Sequence, residues 1–226
     1  MNLKAIVFDC DGVIFDSREA NKAYYNAILK SIGLPPMSEE QLNFAHCHTV
    51  FEVIDYLVPD SSLREKAYFA RKNINYSQFL CYMKPEPYVT EILKIFKQNF
   101  KTGMATNRTD TIHNLLKQYK LDKYFDIVIS ALDVQNVKPH PEALYKIMHN
   151  FHIKPNQMLY IGDTQIDAEM AQNAHVPFVS YKNPDLTADF YVRNFLDLAQ
   201  IIGIKGDLRD ASPPSYLLCT LCNLSY

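Results

Sequence analysis

The sequence predicts an α/β fold, a doubly wound parallel sheet with a small α-helical domain inserted near the N-terminus. Two features of the 226-residue chain support this prediction. From residue 88 onward, short apolar runs alternate with segments of helical periodicity, a pattern typical of a parallel sheet with helices on both faces. One further apolar run, Ala5–Phe8, lies far ahead of the others, and the residues between carry no strand pattern.

The chain begins with this short buried strand, which ends at two acidic residues. A helix follows, because Ala20, Tyr24 and Ile28 share one helical face and Gly33 supplies a stop signal. After the break at Pro35 and Pro36, the spacing of a capping box at residues 38–41 predicts a second helix.

Helical patterns continue to about Met83, and the prolines of residues 84–87 favour an extended connector. We therefore predict a helical domain inserted into an α/β core, followed by a C-terminal tail. The predicted bounds are 1–16 and 84–205 for the core, 17–83 for the helical domain and 206–226 for the tail.

The second half alternates helix and strand. Val89, Ile92 and Phe96 mark the first helix of this region, and the apolar stripes that follow mark the others. The predicted strands are 102–105, 127–131, 158–161 and 177–181, and the last helix is predicted at 192–202.

Composition narrows the class of protein. A formal net charge of -2 gives no basic surface for nucleic acid, and no apolar run approaches the roughly 18 residues of a membrane span. We expect a cytoplasmic monomer or homodimer with neither nucleic-acid nor membrane partners. The five cysteines are expected to be reduced, and Cys219 and Cys222 form a pair that lacks the second half of a zinc site.

Polar residues follow four of the predicted strands, and in an open parallel sheet ligands bind at the carboxyl ends of the strands. Asp9 and Asp11 follow the first strand, Thr106 and Asn107 the second, Lys138 the third and Asp163 the fourth. Together these types suit phosphoryl transfer, in which positioning and charge neutralisation supply most of the catalysis.

Asp9 and Asp11 are costly to bury together unless a cation neutralises them. Asp9 can act as a nucleophile on phosphorus, and Asp11 can protonate the leaving oxygen and later activate water. Gly12 would let the backbone approach the phosphate. The alternative for these residues is an ordinary turn.

Thr106 can donate a hydrogen bond to phosphate, as can the amides of a helix predicted to begin near Thr109, and Lys138 supplies positive charge. Asp163 and Asp167 can complete an oxygen shell for Mg²⁺. Taken singly, each has a plain structural alternative as a helix cap, a solvated lysine or an acid favoured by a helix dipole.

These residues resemble the four motifs of the haloacid dehalogenase superfamily of hydrolases, and the helical insertion resembles the cap of its phosphoglycolate phosphatase and β-phosphoglucomutase branch. The matching motifs are Asp9-Cys10-Asp11-Gly12-Val13, Thr106, Lys138-Pro139 and the segment from Gly162 to Asp167.

The resemblance implies a Rossmann-like core and a Mg²⁺-dependent phosphatase that acts on a small phosphorylated metabolite. It implies that Asp9 is the nucleophile and Asp11 the acid/base, with the Asp11 carbonyl also touching the metal. It further implies that Asp163 binds the metal directly and Asp167 supports it. Thr106, Asn107 and Lys138 would hold the phosphate.

The helical insertion carries two histidines, His46 and His48, where relatives have a substrate-specificity loop. We expect one of them to contact the substrate. A metal site formed by both histidines and Cys47 is the weaker alternative, because a helix would point His46 and His48 to different sides.

Two other functions stay open at this level. A phosphomutase would share the nucleophile and the cap but would have to exclude water. A binding module that kept the fold without catalysis is the second. Dehalogenation is disfavoured, because family dehalogenases lack the second aspartate that is present here as Asp11.

Overall fold

The computed structural model describes residues 2–203, so the predicted tail with Cys219 and Cys222 lies outside the described residues. The predicted doubly wound parallel sheet is confirmed. The strands are β1 Ala5–Phe8, β2 Phe15–Asp16, β3 Lys84–Pro85, β4 Lys101–Ala105, β5 Ile127–Ile129, β6 Met158–Gly162, β7 Phe178–Tyr181 and β8 Phe190–Val192. The helices are α1 Arg18–Ser31, α2 Glu39–Cys47, α3 Val50–Leu57, α4 Ser61–Asn73, α5 Val89–Asn99, α6 Ile112–Gln118, α7 Glu142–Phe151, α8 Gln165–Ala174 and α9 Phe195–Ile201.

Six strands form the main sheet in the order β5-β4-β1-β6-β7-β8, and every pair is parallel. Strand β1 lies at the centre because both of its faces are apolar. Ile6 and Phe8 pack with α5, α6 and α9 on one face, whereas Val7 packs with α7 and α8 on the other. The carboxyl ends of β1, β4 and β6 therefore meet in the middle of one sheet edge.

Helices α1 to α4 build a separate apolar core. Capping boxes start two of these helices, one from Ser38 to Gln41 at α2 and one from Thr49 to Glu52 at α3. The short antiparallel pair of β2 and β3 joins this helical segment to the sheet, with Phe15 opposite Pro85.

Two predicted boundaries are wrong. The strand predicted at 127–131 ends at Ile129, because the Ser130 side chain caps a 3₁₀ turn over Ala131–Asp133. The helix predicted at 192–202 begins only at Phe195, since Phe190–Val192 extends the sheet as edge strand β8. Within the described range, no helix is long and apolar enough to cross a membrane.

Phe8→Ala is expected to destabilise the fold by about 3–5 kcal/mol, the usual cost of emptying a buried aromatic site. Phe8 is fully buried, and its ring lies between those of Phe96 and Phe195, with centroids 6.2 and 6.1 Å away. Urea denaturation measures the loss. Phe69, which is 72% exposed, provides the control, because Phe69→Ala should change stability by no more than about 0.5 kcal/mol. Equal losses in the two variants would contradict the packing.

Candidate active site

The predicted site residues converge at the carboxyl ends of the central strands. The backbone N–H of Asp9 donates to the Ile161 carbonyl at 2.8 Å, and the N–H of Thr106 donates to the Ile129 carbonyl at 3.0 Å. Each strand end is thus held against its neighbour. Asp163 directly follows β6, which is paired with β1.

Lys138 reaches this edge from the loop between β5 and α7. Its ammonium donates to Asp9 Oδ1 at 2.7 Å and to Asp167 Oδ1 at 2.8 Å, and its side chain is 3% exposed. Its backbone N–H donates to Asn107 Oδ1 at 3.2 Å, which fixes the loop beside β4. Burial alone would lower the pKa of Lys138, but the attraction of Asp167 and Asp9 raises it above its usual value. The side chain is therefore a cation.

The contact with Lys138 does not offset all of the negative charge around Asp9. Burial, followed by repulsion from Asp167, Asp163 and Asp11, outweighs the attraction of Lys138 and raises the pKa of Asp9 to about 8. A carboxylate nucleophile has to be ionised to attack. The site therefore calls for a further cation near Asp9.

Asp163 adds a second carboxylate beside Asp9. Its Oδ1 atom is buried and has no hydrogen-bond partner in the part of the chain that the structure describes. Burial raises the pKa of Asp163, and His46 opposes the rise. Gly12 makes room for this carboxylate, because a Cβ on Gly12 would lie 1.9 Å from Asp163 Oδ2. Gly12, which we predicted from the sequence to let the backbone approach the phosphate, thus lies against Asp163.

Asp167 is already satisfied by the protein. Its Oδ1 accepts hydrogen bonds from Lys138 and from the Tyr160 hydroxyl at 2.6 Å, and its Oδ2 accepts from the backbone and hydroxyl of Thr164. Burial would raise the pKa of Asp167, but these contacts lower it below its usual range. Asp167 is therefore an ionised carboxylate with little remaining capacity to accept further contacts.

The residues present fit a divalent cation. One carboxylate oxygen from each of Asp9, Asp163 and Asp167 lies within 4.8 Å of the other two. Three carboxylates outnumber the cationic groups beside them, Lys138 and His46, so the cluster keeps an excess of negative charge that a divalent ion would offset. Hard oxygen donors are the ligands that Mg²⁺ prefers.

Asp11 lies outside this cluster and pairs with Arg108, which the sequence analysis did not single out. Arg108 donates to Asp11 Oδ2 from Nε at 2.7 Å and to Oδ1 from Nη2 at 2.6 Å. Tyr76 supports the guanidinium through its hydroxyl, 3.1 Å away, and through its ring. Burial would raise the pKa of Asp11, but Arg108 outweighs it and lowers the pKa below its usual range. The sequence signal that could have identified this partner was the presence of an arginine in the polar run after Thr106.

The loop after β4 is longer than predicted. Helix α6 begins at Ile112 and not near Thr109, so residues 106–111 form an irregular turn. The Thr106 hydroxyl accepts a hydrogen bond from the Arg108 backbone at 3.1 Å. Asn107 bridges to the helical segment, since its amide donates to the Cys47 carbonyl at 3.4 Å. The amides that directly follow Thr106 therefore belong to a loop and not to the start of a helix.

The two histidines of the helical segment have different surroundings. His46 Nε2 lies 3.4 Å from Asp163 Oδ2, so this side chain reaches down to the acidic cluster. Burial would lower the pKa of His46, but Asp163 raises it. His48 stacks on Phe44 with centroids 3.8 Å apart. Between residues 2 and 203, His46, Cys47 and His48 form no metal-sized cluster.

A cavity of about 70 Å³ lies between the helical segment and the sheet edge. Both Asp9 and Lys138 line it from the sheet, and both His46 and His48 line it from α2 and its end. Pockets for drug-sized ligands are roughly 300–1,000 Å³. A molecule held wholly within this cavity is therefore small.

Comparison with known proteins places these features in one family. The family profile for haloacid dehalogenase-like hydrolases matches residues 6–181. The chain is 30% identical over 184 residues to the pyrophosphatase PpaX of Bacillus cereus strain Q1, covering 77% of this chain and 81% of that protein.

Solved structures agree with this match. A haloacid dehalogenase superfamily hydrolase of subfamily IA, variant 1, from Geobacter sulfurreducens is 36% identical, with a TM-score of 0.75, and the match covers 89% of this chain and 97% of that one. A predicted phosphoglycolate phosphatase from Haemophilus somnus shares the fold at 22% identity, with a TM-score of 0.83 and coverage of 89% and 99%.

Lys138→Met is expected to cost about 3–5 kcal/mol of stability in metal-free, mildly alkaline buffer, because two buried carboxylates lose their cation. The loss should shrink as the pH falls, since protonation removes the charge of the unpaired carboxylates. Urea denaturation over a pH series measures both effects. As a control, Lys146→Met breaks an ion pair with Glu142 in which Lys146 is 44% exposed, and it should cost about 1 kcal/mol or less. A pH-independent loss for Lys138→Met would contradict the assignment.

Proposed function

The chain belongs to the haloacid dehalogenase-like hydrolase family, and from this membership and the site geometry we propose that it is a Mg²⁺-dependent phosphatase. Its substrate would be a small phosphomonoester or a similarly small phosphoanhydride. Phosphatase and pyrophosphatase names among the similar proteins support this reaction class. The reaction would proceed through a phosphoryl group carried on Asp9.

The observation that carries the proposal is the setting of Asp9. Its Oδ1 is fixed by Lys138 at 2.7 Å, and the unpartnered oxygen of Asp163 belongs to the same cluster. A carboxylate with this support can attack phosphorus, so that the bond to the leaving oxygen breaks and an acyl phosphate forms. Water then attacks phosphorus, which releases phosphate and restores Asp9.

Asp11 would move the protons. It would protonate the leaving oxygen in the first step and remove a proton from water in the second. In the structure it is ionised and bound by Arg108 at 2.6 and 2.7 Å. Asp11 therefore has to separate from Arg108 before it can carry a proton to the substrate.

Asp9 and Asp163 would hold Mg²⁺ directly, with the backbone carbonyl of Asp11, and Asp167 would support the site through Lys138. When bound, the ion would supply positive charge that neutralises phosphate oxygens and keeps Asp9 ionised. Thr106, the adjacent loop amides and Asn107 would orient the phosphoryl group. Lys138 would contribute charge to the same oxygens.

The helical segment would act as a cap, with the domain bounds predicted from the sequence. His46 already spans from α2 to Asp163, and Asn107 contacts Cys47. A cap that closes in this way excludes bulk water and strengthens the charge interactions inside the cavity.

Asp9→Asn is expected to reduce Mg²⁺-dependent phosphate release from a generic aryl phosphate by about a thousand-fold or more, because the amide is not a nucleophile. Release of inorganic phosphate in the presence of Mg²⁺ is the measurement. The matched control is Asp185→Asn, a change at an exposed residue outside the cavity, which should keep normal turnover. Full activity in Asp9→Asn would refute the mechanism.

Mg²⁺ is expected to raise the thermal unfolding midpoint, since it would relieve the repulsion among the buried carboxylates. Binding at a free concentration of about 100 times the dissociation constant would add about 2.7 kcal/mol. Differential scanning fluorimetry, with and without a chelator, measures the shift. Asp163→Asn should lose most of the shift and Asp185→Asn should keep it. An equal shift in both variants would place the ion elsewhere.

A further inference from the structure

Apart from two histidines, the basic residues that line the cavity are one lysine and two arginines, and two of these three are committed to carboxylates. Lys138 donates to Asp9 and to Asp167, and Arg108 donates to both oxygens of Asp11. The positive charge of each is thus paired with a carboxylate that would take part in the proposed reaction. Neither Lys138 nor Arg108 is therefore placed to bind the leaving group of a substrate while these pairs are intact.

Arg71 is different. It projects from α4, its side chain is only 16% exposed, and its Nε atom is buried without a hydrogen-bond partner among residues 2–203. A buried donor that lacks an acceptor is unfavourable, because it has lost its hydrogen bonds to water without replacement. An acceptor that enters the cavity would remove this cost.

The guanidinium of Arg71 is nevertheless held in place. It lies over the ring of Phe51, 5.0 Å from the centroid. Its Nη2 is 3.6 Å from Asp110, a residue whose side chain is 68% exposed. An ion pair this long and this exposed contributes little, so it leaves Arg71 available to another anion.

The placement of Arg71 defines which part of the substrate it would meet. The transferred phosphoryl group belongs on the sheet side, beside Asp9 and Lys138. Arg71 lines the same cavity from the helical segment, where the leaving group has to lie. The cavity that Arg71 shares with Asp9 and Lys138 is about 70 Å³, so a leaving group held wholly within it is compact, whereas a second cavity that Arg71 also lines is about 410 Å³.

We propose that Arg71 is a specificity residue that binds a second anionic group, carboxylate or phosphate, on the leaving part of a compact substrate. The inference rests on the proposed phosphatase function. It identifies the substrate class as small phosphate compounds with an additional negative charge. A neutral leaving group such as a sugar would offer Nε a hydroxyl oxygen at most, and would not supply the negative charge that makes a hydrogen bond to a guanidinium strong.

The test compares two esters that differ by one charge, phosphoglycolate and its carboxamide, with inorganic pyrophosphate as the third substrate. The wild-type enzyme should favour phosphoglycolate, pyrophosphate or both over the carboxamide by about 10–100-fold in kcat/KM, the range expected for a charge-assisted hydrogen bond. The favoured anion identifies the source of the second charge.

Arg71→Gln should abolish this preference, because kcat/KM for the charged substrates should fall far more than kcat/KM for the carboxamide. An unchanged circular dichroism spectrum and thermal midpoint show that the variant is folded. Arg71→Lys should keep part of the preference, since it retains the charge without the planar fork. Lys66→Gln removes a charge from an exposed position on the same helix. It should change neither the preference for the charged substrates nor kcat/KM for the carboxamide.

The outcomes separate the two proposals. If the wild-type enzyme hydrolyses all three substrates with similar kcat/KM, or if Arg71→Gln slows all of them equally, the assignment of Arg71 is wrong and the phosphatase function stands. If the wild-type enzyme releases no phosphate from any of them or from an aryl phosphate, both proposals fail.

Discussion

The structure depends on how buried negative charge is neutralised at one sheet edge. Asp9, Asp163 and Asp167 place carboxylate oxygens within 4.8 Å of one another, and Lys138 bonds two of them. Burying such acids is tolerated only where cations and hydrogen bonds compensate. The surroundings are adapted to this need. Gly162 leaves space for Asp167, since a Cβ there would lie 2.4 Å from the Asp167 Cβ, and the parallel sheet brings residues distant in sequence to a single edge.

Each cation of the cavity has a separate task in this account. Lys138 would fix the proposed nucleophile, and Arg108 would hold the proposed acid/base residue until substrate arrives. Arg71 has only a long ion pair with the exposed Asp110 and would face the leaving group. One small cavity can thus hold the charges of Lys138, Arg108 and Arg71 and still select its ligand, because the first two are already balanced by the protein. Selectivity would then rest on Arg71, whose buried Nε has no acceptor among residues 2–203.

Sequence reasoning located the strands that carry the site, because parallel strands end at a common edge and their apolar runs are easily recognised. It could not find the pair between Asp11 and Arg108, which are 97 residues apart and meet only through the conformation of the loop after β4. Strand β8 was missed because it is a partly exposed edge strand of three residues, which is too short to show the alternation typical of a strand. The different environments of His46 and His48 follow from where α2 ends, and single-residue helix ends are poorly specified by sequence.

The central claim is that Asp9 carries the phosphoryl group between two half-reactions. The most direct test is rapid acid quenching during turnover with Mg²⁺, followed by mass spectrometry of the peptide that contains residues 5–16. We expect a fraction of this peptide to be heavier by one phosphoryl group, with the group on Asp9 and absent in Asp9→Asn. Turnover with the group on another residue, or undiminished turnover in Asp9→Asn with no phosphopeptide, would contradict it.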